Sequence, residues 1–354
     1  MGAVDRTAGG KGGVMRLARA WARILPAAAA IAVVVSAAAA QDPAVEIALD
    51  DPTPVVRDSS PRSFVRVGKR TLFLAYTEST GRELWATDGT AAGTKLVRDF
   101  NPGPDSGTDV VVSAGTFAFV VAAVPGLGRE LWRTDGTPSG TTLLRDVYAG
   151  PGDGVDRDPV MLGSVAFFGG KDAASGLELW KSDGTQAGTV MVKDVVPGED
   201  WSDADPEVAF GGMMYFDAYR EGTGLELWKS DGTSAGTTLV KLLVPESDEG
   251  GAREYVVSGG TLFMVVSVDA SGSELWKSDG TTAGTGIVKE IVAGSSGGDP
   301  SQLTDVAGTL MFSATTSAAG RELWKSDGTT RARSWSRTST RAPPTGSAGE
   351  RAAP

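Results

Sequence analysis

The chain has 354 residues, with 33 Lys and Arg, 44 Asp and Glu, no cysteine and no histidine. The lack of cysteine excludes disulfides and lipid attachment through a cysteine, and the lack of histidine removes the commonest general base and transition-metal ligand. Residues 1–40 and 331–354 each hold five basic residues and one acidic residue, so 23 basic and 42 acidic residues lie between them, and this net charge of −19 excludes nucleic acid as a partner.

The first forty residues are predicted to be a signal peptide. Arg16, Arg19 and Arg23 precede an apolar stretch, ILPAAAAIAVVVSAAAA, which ends in a small-residue cleavage site before Gln41. The apolar stretch is short for a membrane span. We therefore expect an exported protein, either secreted or held at the cell surface or in the periplasm, with no membrane span after cleavage. A retained membrane anchor is the alternative.

A ten-residue phrase recurs six times in the rest of the chain. Its copies read GRELWATDGT, GRELWRTDGT, GLELWKSDGT (twice), GSELWKSDGT and GRELWKSDGT. Successive tryptophans of the phrase are 47, 48, 48, 48 and 48 residues apart, and a period of this length predicts a repeat architecture. The six tryptophans are Trp85, Trp132, Trp180, Trp228, Trp276 and Trp324.

Each period contains four short strand signals bounded by turn residues. In the third repeat they are PVMLG, VAFFGG, LELWKS and VMVKDV, and in the fifth they are YVVSG, TLFMVV, SELWKS and GIVKEI. Four antiparallel strands in a period of about 40–50 residues are typical of a β-propeller blade. We therefore predict an all-β, propeller-like domain over residues 41–330, with six four-stranded blades of about 48 residues each. An open β-repeat array is the alternative.

The repeated phrase is interpreted as a structural unit and not as a working site. Alternation along ELWKS places the tryptophan on one face of a strand, where it can pack between blades. The DGT that follows is typical of a turn, in which Asp caps backbone amides and Gly takes a positive φ. One carboxylate per turn is too few for a calcium site. The six turn aspartates are Asp88, Asp135, Asp183, Asp231, Asp279 and Asp327.

The phrase resembles the ELWxxDGT repeat of exported bacterial proteins, a family also described as hyalin-like. The resemblance covers all six periods, from residue 61 to about residue 330. It implies an exported repeat protein but no particular reaction and no catalytic residues. The turns are also similar to the Asp-box turns of sialidase propellers, but the tryptophan here precedes the turn instead of following it, so no sialidase activity is implied.

The loops at one end of the predicted blades vary, and loops on a rigid scaffold often carry binding residues. The connections into the third and fourth blades concentrate acidic residues beside an additional tryptophan, Trp201. We predict that Ca²⁺ binds there, because it prefers oxygen ligands, with Trp201 as a sugar-stacking contact. Solvated acidic loops are the alternative. The predicted ligands are Asp153, Asp156, Asp158, Asp200, Asp203 and Asp205, with Glu199 in the same cluster.

A second polar and aromatic cluster, Tyr219, Arg220 and Glu221, is a candidate ligand-binding face at the same end. No spacing singles out a nucleophile and a base, so the predicted function is a non-catalytic scaffold that binds an extracellular protein or glycan. The alternative is a carboxylate-dependent propeller enzyme of the glycan hydrolase or lyase type. Carboxylates converging in one pocket around a central channel would favour this alternative.

The sixth repeat breaks off after GRELWKSDGTT. Residues 331–354 are rich in Arg, Ala, Pro and Ser, where the other repeats continue into a fourth strand. A one-base frameshift in a GC-rich gene would convert the expected continuation into this sequence, so we interpret residues 331–354 as a disordered basic tail of frameshift origin. The sixth blade would then lack its fourth strand. For the sequence as written, residues 44–50 are predicted to complete that blade and close a six-bladed ring, and if the natural chain continues, the same strand is predicted to close a later blade.

Overall fold

A computed structural model describes residues 58–198, 200–246 and 250–329, together with the backbone of residues 333–334. The predicted signal peptide, the predicted closing strand at residues 44–50, Glu199 and most of the basic tail lie outside these residues. The regular elements of the described part are β-strands, and none of its segments is a helix that could span a membrane.

The described strands form six antiparallel sheets, and each sheet contains four strands in chain order. Blades 1 to 3 comprise β1 (Arg62–Val67), β2 (Arg70–Thr77), β3 (Gly81–Thr87) and β4 (Lys95–Arg98); β5 (Thr108–Ser113), β6 (Ala118–Val124), β7 (Gly128–Thr134) and β8 (Thr142–Arg145); and β9 (Val155–Leu162), β10 (Val165–Asp172), β11 (Gly176–Ser182) and β12 (Val190–Lys193). Blades 4 to 6 comprise β13 (Asp205–Phe210), β14 (Met213–Arg220), β15 (Gly224–Ser230) and β16 (Thr238–Pro245); β17 (Gly251–Ser258), β18 (Thr261–Val268), β19 (Gly272–Ser278) and β20 (Gly286–Lys289); and β21 (Ser301–Val306), β22 (Thr309–Thr316), β23 (Gly320–Ser326) and β24 (Arg333–Ser334).

The first strands of successive blades contact one another, as β1 contacts β5, β9 contacts β13 and β17 contacts β21. The first strands therefore form the inner edges of the blades, and the fourth strands form the outer edges. This arrangement confirms the predicted fold class, an all-β propeller with six four-stranded blades. The first strand of the third blade begins at Val155, four residues earlier than the PVMLG signal suggested.

Neighbouring blades pack through the two faces of the repeated phrase. The leucine of one blade packs in the same apolar cluster as the tryptophan of the next, as Leu179 does with Trp228. Phe167 of blade 3 and Phe216 of blade 4 belong to the same cluster, and all four side chains are buried. The alternation predicted for ELWKS is therefore confirmed, with the tryptophan and the leucine facing opposite neighbours.

Basic side chains join each blade to the turn of the next one. The Lys181 ammonium donates to the carbonyl oxygen of Gly232 at 2.7 Å, and the Lys193 ammonium donates to that of Thr237 at 3.0 Å. Sequence reasoning gave these residues no role, although a basic residue after the tryptophan recurs in most repeats. Equivalent bonds link Arg133 to Gly184, Lys229 to Gly280, Lys277 to Gly328, Arg98 to Thr141, Arg145 to Thr189 and Lys241 to Thr285.

Replacing Lys181 with methionine should lower the free energy of unfolding by about 1–3 kcal/mol, because a hydrogen bond from a charged donor is lost and the Gly232 carbonyl loses its partner. Urea unfolding followed by circular dichroism measures this change. Lys69→Met is the matched control, because Lys69 lies exposed in the turn between β1 and β2. Equal unfolding free energies for the two variants would show that the bond between the blades contributes nothing.

The turn aspartates act as predicted. Asp183 Oδ1 accepts hydrogen bonds from the backbone N–H and the hydroxyl of Thr185, at 2.9 and 2.7 Å. The Thr185 hydroxyl oxygen accepts in turn from the Gly188 N–H at 2.9 Å. A Cβ atom on Gly188 would lie 2.0 Å from Asp183 Oδ1, so the turn requires glycine there.

The sixth blade differs from its prediction in one respect. Arg333 and Ser334 form a two-residue fourth strand, in which Ser334 pairs with Trp324 and Arg333 pairs with Lys325. The prediction that this blade lacks a fourth strand is therefore wrong for these two residues. The backbone can pair here because β-sheet hydrogen bonds do not depend on side-chain identity.

Candidate active site at the inner edges of the blades

One position of the first strand, which we call the inner ring, can be followed through all six blades. In each blade, the leucine of the repeated phrase lies on the third strand and pairs with one residue of the second strand. The inner-ring residue is the first-strand residue that pairs with that same second-strand residue. Because the first strands form the inner edges, these positions lie closest to the centre of the propeller. They are Arg62, Val110, Arg157, Asp205, Arg253 and Ser301 in blades 1 to 6.

Arg157 occupies the inner ring in blade 3, and its guanidinium contacts three of the predicted calcium ligands. It lies 2.5 Å from an oxygen of Asp203, 2.9 Å from one of Asp156 and 3.7 Å from one of Asp205. One cation therefore balances carboxylates from two successive blades. The sequence predicted the acidic cluster but not the arginine that pairs with it.

The other three predicted calcium ligands also contact other parts of the protein. Arg129 pairs with Asp158 at 2.6 Å, and the Arg129 N–H donates to Asp153 at 2.9 Å. The backbone of Asp200 lies against Gly176. Within residues 58–198, 200–246 and 250–329, no three carboxylates converge to hold a metal ion. The geometry therefore gives no support to the calcium prediction.

Two carboxylates face each other at the inner edge of blade 4. Asp205 in β13 and Asp217 in β14 are direct cross-strand partners, which places their side chains on one face of the sheet. Like charges in this arrangement repel unless other groups compensate them. Arg157 lies 3.7 Å from Asp205, and the Tyr255 hydroxyl of blade 5 donates to Asp217 at 2.5 Å.

Asp217 stands at a position that is apolar or small in the other blades, and it is only 6% exposed. Burial, followed by the negative charges of Asp217 and Glu207, raises the pKa of Tyr255 well above its ordinary value of 10. The hydroxyl therefore stays protonated and keeps donating to Asp217. Sequence reasoning missed this pair, although aligning the repeats would have shown an aspartate among apolar residues. The other five positions are Leu74, Val121, Gly169, Val265 and Ser313.

An aromatic side chain, Trp201, lies on the loop that leads to Asp205. Trp201 is 59% exposed, and the Lys171 ammonium lies 4.8 Å from the centre of its ring. The same ammonium lies 5.8 Å from the ring of Tyr148. Trp201 and Asp205 are four positions apart in the chain, so their Cα atoms are at most about 14 Å apart.

The three residues of the predicted ligand-binding face, Tyr219, Arg220 and Glu221, have different surroundings in the structure. Arg220 binds the buried carboxylate of Glu226 through two hydrogen bonds of 2.7 and 2.6 Å, and the Trp228 N–H donates to the same carboxylate at 3.0 Å. The Tyr219 hydroxyl lies 3.3 Å from an oxygen of Glu246, and Glu221 is exposed. Arg220 thus has a structural partner, and whether these residues bind a ligand stays a prediction.

The glutamate of the repeated phrase holds the loops that lead to the inner edge. Glu178 accepts hydrogen bonds from the N–H groups of Val195 and Val196 and from the hydroxyl of Ser202. Burial raises its pKa to about 7, although these hydrogen bonds act in the opposite direction. The pKa values of Glu83 and Glu130 are raised to about 7 in the same way. The repeated glutamate is therefore a loop anchor in blades 1, 2, 3 and 5, a role that its sequence pattern did not indicate.

Comparison with solved structures finds proteins of the same fold at low identity. A puromycin-hydrolyzing peptidase from Mycobacterium tuberculosis is 15% identical over 79% of this chain and 44% of its own length, with a TM-score of 0.45. Oligopeptidase B from Leishmania major is 12% identical over 77% of this chain and 40% of its own, with a TM-score of 0.46. The propeller domain of the Trilobed protease from Pyrococcus furiosus is 13% identical, with coverage of 77% and 83% and a TM-score of 0.40.

These comparisons correct the prediction of a non-catalytic scaffold, since the solved structures are mostly those of peptidases and the enzyme alternative fits them better. The chain spans about half the length of the full peptidases, and the likeness concerns the propeller fold alone. No peptidase activity is carried over to this chain, which contains no histidine. No family model and no curated protein matches the sequence.

Proposed function

We propose that this protein is a carboxylate-dependent glycan-cleaving enzyme that acts at the inner edge of blades 4 and 5. The observation that carries the proposal is the direct pairing of Asp205 with Asp217, with the Tyr255 hydroxyl 2.5 Å from Asp217. Two opposed carboxylates supply the acid and base, or acid and nucleophile, that glycoside cleavage requires.

Asp217 is the nucleophile in this proposal, because a hydrogen bond donated to a carboxylate favours its charged form. Asp205 is the acid that protonates the departing sugar oxygen while Asp217 forms a bond to the anomeric carbon, because the charge of Asp217 opposes the ionisation of Asp205 and counteracts the effect of Arg157 at 3.7 Å. Water then releases the sugar from Asp217, and Asp205 takes up the proton of that water. Side chains of directly opposed strand residues start about 4.5–5.5 Å apart at Cβ. A retaining mechanism needs two carboxyl groups that lie as close together as about 5–5.5 Å.

A glycan substrate is supported by the exposed tryptophan on the loop that leads to Asp205. Trp201 presents more than half of its surface to solvent, whereas the tryptophan side chains of the repeats are largely enclosed. An exposed indole offers a flat apolar face that can stack on a sugar ring, and the nearby Lys171 can donate hydrogen bonds to hydroxyl groups. Export through residues 1–40 and membership of the ELWxxDGT repeat family belong to the same proposal.

The proposal is tested with purified protein and a panel of neutral and acidic polysaccharides, with reducing ends and unsaturated products measured separately. We expect Asp217→Asn to lower cleavage about 10²- to 10⁴-fold, the usual contribution of a catalytic carboxyl group. Tyr255→Phe should lower it about 10- to 100-fold, because hydrogen bonds to charged groups contribute about 1.5–3 kcal/mol.

Asp269→Asn is the matched control, since Asp269 is an exposed acid in a loop of blade 5. Its activity should equal that of the unmodified protein. Circular dichroism spectra must agree among all variants, so that a loss of activity is not a loss of fold. Cleavage that survives Asp217→Asn, or no cleavage of any polysaccharide by the unmodified protein, would overturn the proposal. Unsaturated products would replace the hydrolytic mechanism with a lyase.

A further inference from the structure

Arginines that lie near the inner edges of the blades pair with carboxylates, with two exceptions. Arg129 pairs with Asp158, and Arg157 pairs with Asp203. Arg253 and Arg321 share Asp299, at 2.9 and 2.5 Å. Arg62 and Arg82 of blade 1 form no ion pair with any carboxylate of the described residues. In a chain with almost twice as many acidic as basic residues between positions 41 and 330, this lack of a partner is unexpected.

Arg62 and Arg82 lie on the same face of blade 1, the face that packs on blade 2. Arg62 occupies the inner ring opposite Leu74, and Arg82 pairs with Tyr76, two residues further along the same strand. The positive charge of Arg62 contributes to a lowered Arg82 pKa, after the larger effect of burial. Two like charges are therefore held close together.

The Arg82 backbone is held by two hydrogen bonds to the loop that precedes β5. Its backbone N–H donates to the Ser106 hydroxyl at 3.0 Å, and its carbonyl accepts from the Gly107 N–H at 3.2 Å. The Arg82 Nε atom is enclosed and has no acceptor among the described residues. The negative charge of Asp109 in blade 2 acts on Arg82, but Asp109 also lies 3.6 Å from Arg129 and is thus shared with another cation.

The first strand of blade 1 is distorted directly after Arg62. The pairing of β1 with β2 shifts between Arg62 and Val65, and Ser63 adopts a positive φ of 57° there. Such bulges redirect side chains and are common beside functional sites. The same distortion in blade 5, at Glu254 with φ 54°, accompanies the arginine Arg253, which reaches Asp299. In blade 1, Arg62 forms no ion pair with a carboxylate of the residues that the structure describes.

We propose that Arg62 and Arg82 form an oxyanion-binding site that receives an acidic substituent of the substrate, a carboxylate or a sulfate ester. The inference rests on the proposed function for its substrate class, which becomes an acidic glycan. Guanidinium groups recognise such planar or tetrahedral oxyanions by paired hydrogen bonds.

The test measures binding and not cleavage, by isothermal titration with the Asp217→Asn variant, so that substrate is not consumed. The probes are oligogalacturonate, its methyl ester and inorganic sulfate. Oligogalacturonate should bind at least tenfold more tightly than its methyl ester, and Arg62→Gln combined with Arg82→Gln should abolish that preference. Arg66→Gln is the matched control, because Arg66 lies exposed on the same strand and bonds to the nearby Gly68 carbonyl.

Each outcome decides between the two proposals. Equal binding of oligogalacturonate with and without the Arg62 and Arg82 side chains would overturn the oxyanion site, whatever the activity of the protein. Arginine-dependent binding of sulfate without binding of either oligosaccharide would keep the oxyanion site and overturn the glycan substrate. Equal affinity for the acid and its ester, both dependent on the two arginines, would also overturn the oxyanion site, because an ester carries no charge.

Discussion

Trp180→Ala should lower the free energy of unfolding by about 3–5 kcal/mol, the usual cost of removing a large buried aromatic side chain. Trp180 is 3% exposed and lies in the cluster that joins blades 2 and 3, with its ring centre 6.3 Å from that of Phe168. The Arg145 guanidinium covers the ring at 5.3 Å. The alanine variant leaves a cavity between two rigid sheets, which cannot easily move together to fill it. Urea unfolding followed by circular dichroism measures the loss.

Trp201→Ala is the matched control for this prediction. Trp201 is the same residue type but is 59% exposed, so its removal should change the unfolding free energy by less than about 0.5 kcal/mol. If the two variants lost similar stability, the tryptophan of the repeat would not be the main contact between blades. Trp201→Ala should instead weaken the binding of the oligosaccharide probes.

Glu178→Ala is expected to lower the free energy of unfolding by about 3 kcal/mol, because the Val195 and Val196 N–H groups and the Ser202 hydroxyl lose their acceptor. Each buried donor without a partner costs about 1–3 kcal/mol, and water admitted to the space offsets part of the sum. The loop that carries Trp201 should also lose its position, and amide hydrogen exchange of that loop should become faster.

The same glutamates should make the stability of the protein depend on pH. Burial raises the pKa of Glu83, Glu130 and Glu178 to about 7 in the folded protein, against an ordinary value of 4.5. As the pH falls through 7, the folded protein takes up protons that the unfolded chain does not, so folding becomes more favourable. The melting temperature should therefore rise between about pH 8 and pH 5, and Glu178→Ala should reduce this rise.

Glu322→Ala supplies the control for both glutamate measurements. Glu322 is the copy of this glutamate in the sixth blade, where it is partly exposed. Its removal should change the stability by less than about 0.5 kcal/mol and leave the pH dependence unchanged. A melting temperature that falls from pH 8 to pH 5 would show that the buried glutamates are charged in the folded protein and would contradict the prediction.

The sequence by itself determined the fold and the structural role of the repeated phrase. The 48-residue period, the four strand signals per period and the DGT turn are local patterns, and each follows from the backbone geometry of a few neighbouring residues. Six copies of the same pattern reinforce one another. For this reason the propeller, the tryptophan packing and the turn aspartates such as Asp183 were predicted correctly.

The candidate site was decided only by the tertiary structure. Asp205 and Asp217 are twelve residues apart in the chain, and Tyr255 belongs to the next blade, so their meeting depends on strand register and on packing between blades. The acidic cluster was visible in the sequence, but its pairing with Arg157 was not.

The sequence alone also did not predict how deeply each copy of a motif residue is buried. Leu179 is fully buried against the next blade, whereas Leu323 of the last repeat is 44% exposed. The two leucines stand in the same local sequence, so the difference comes from what packs on each face. Local sequence fixes where a side chain points along a strand, and only the assembled blades fix what it meets there.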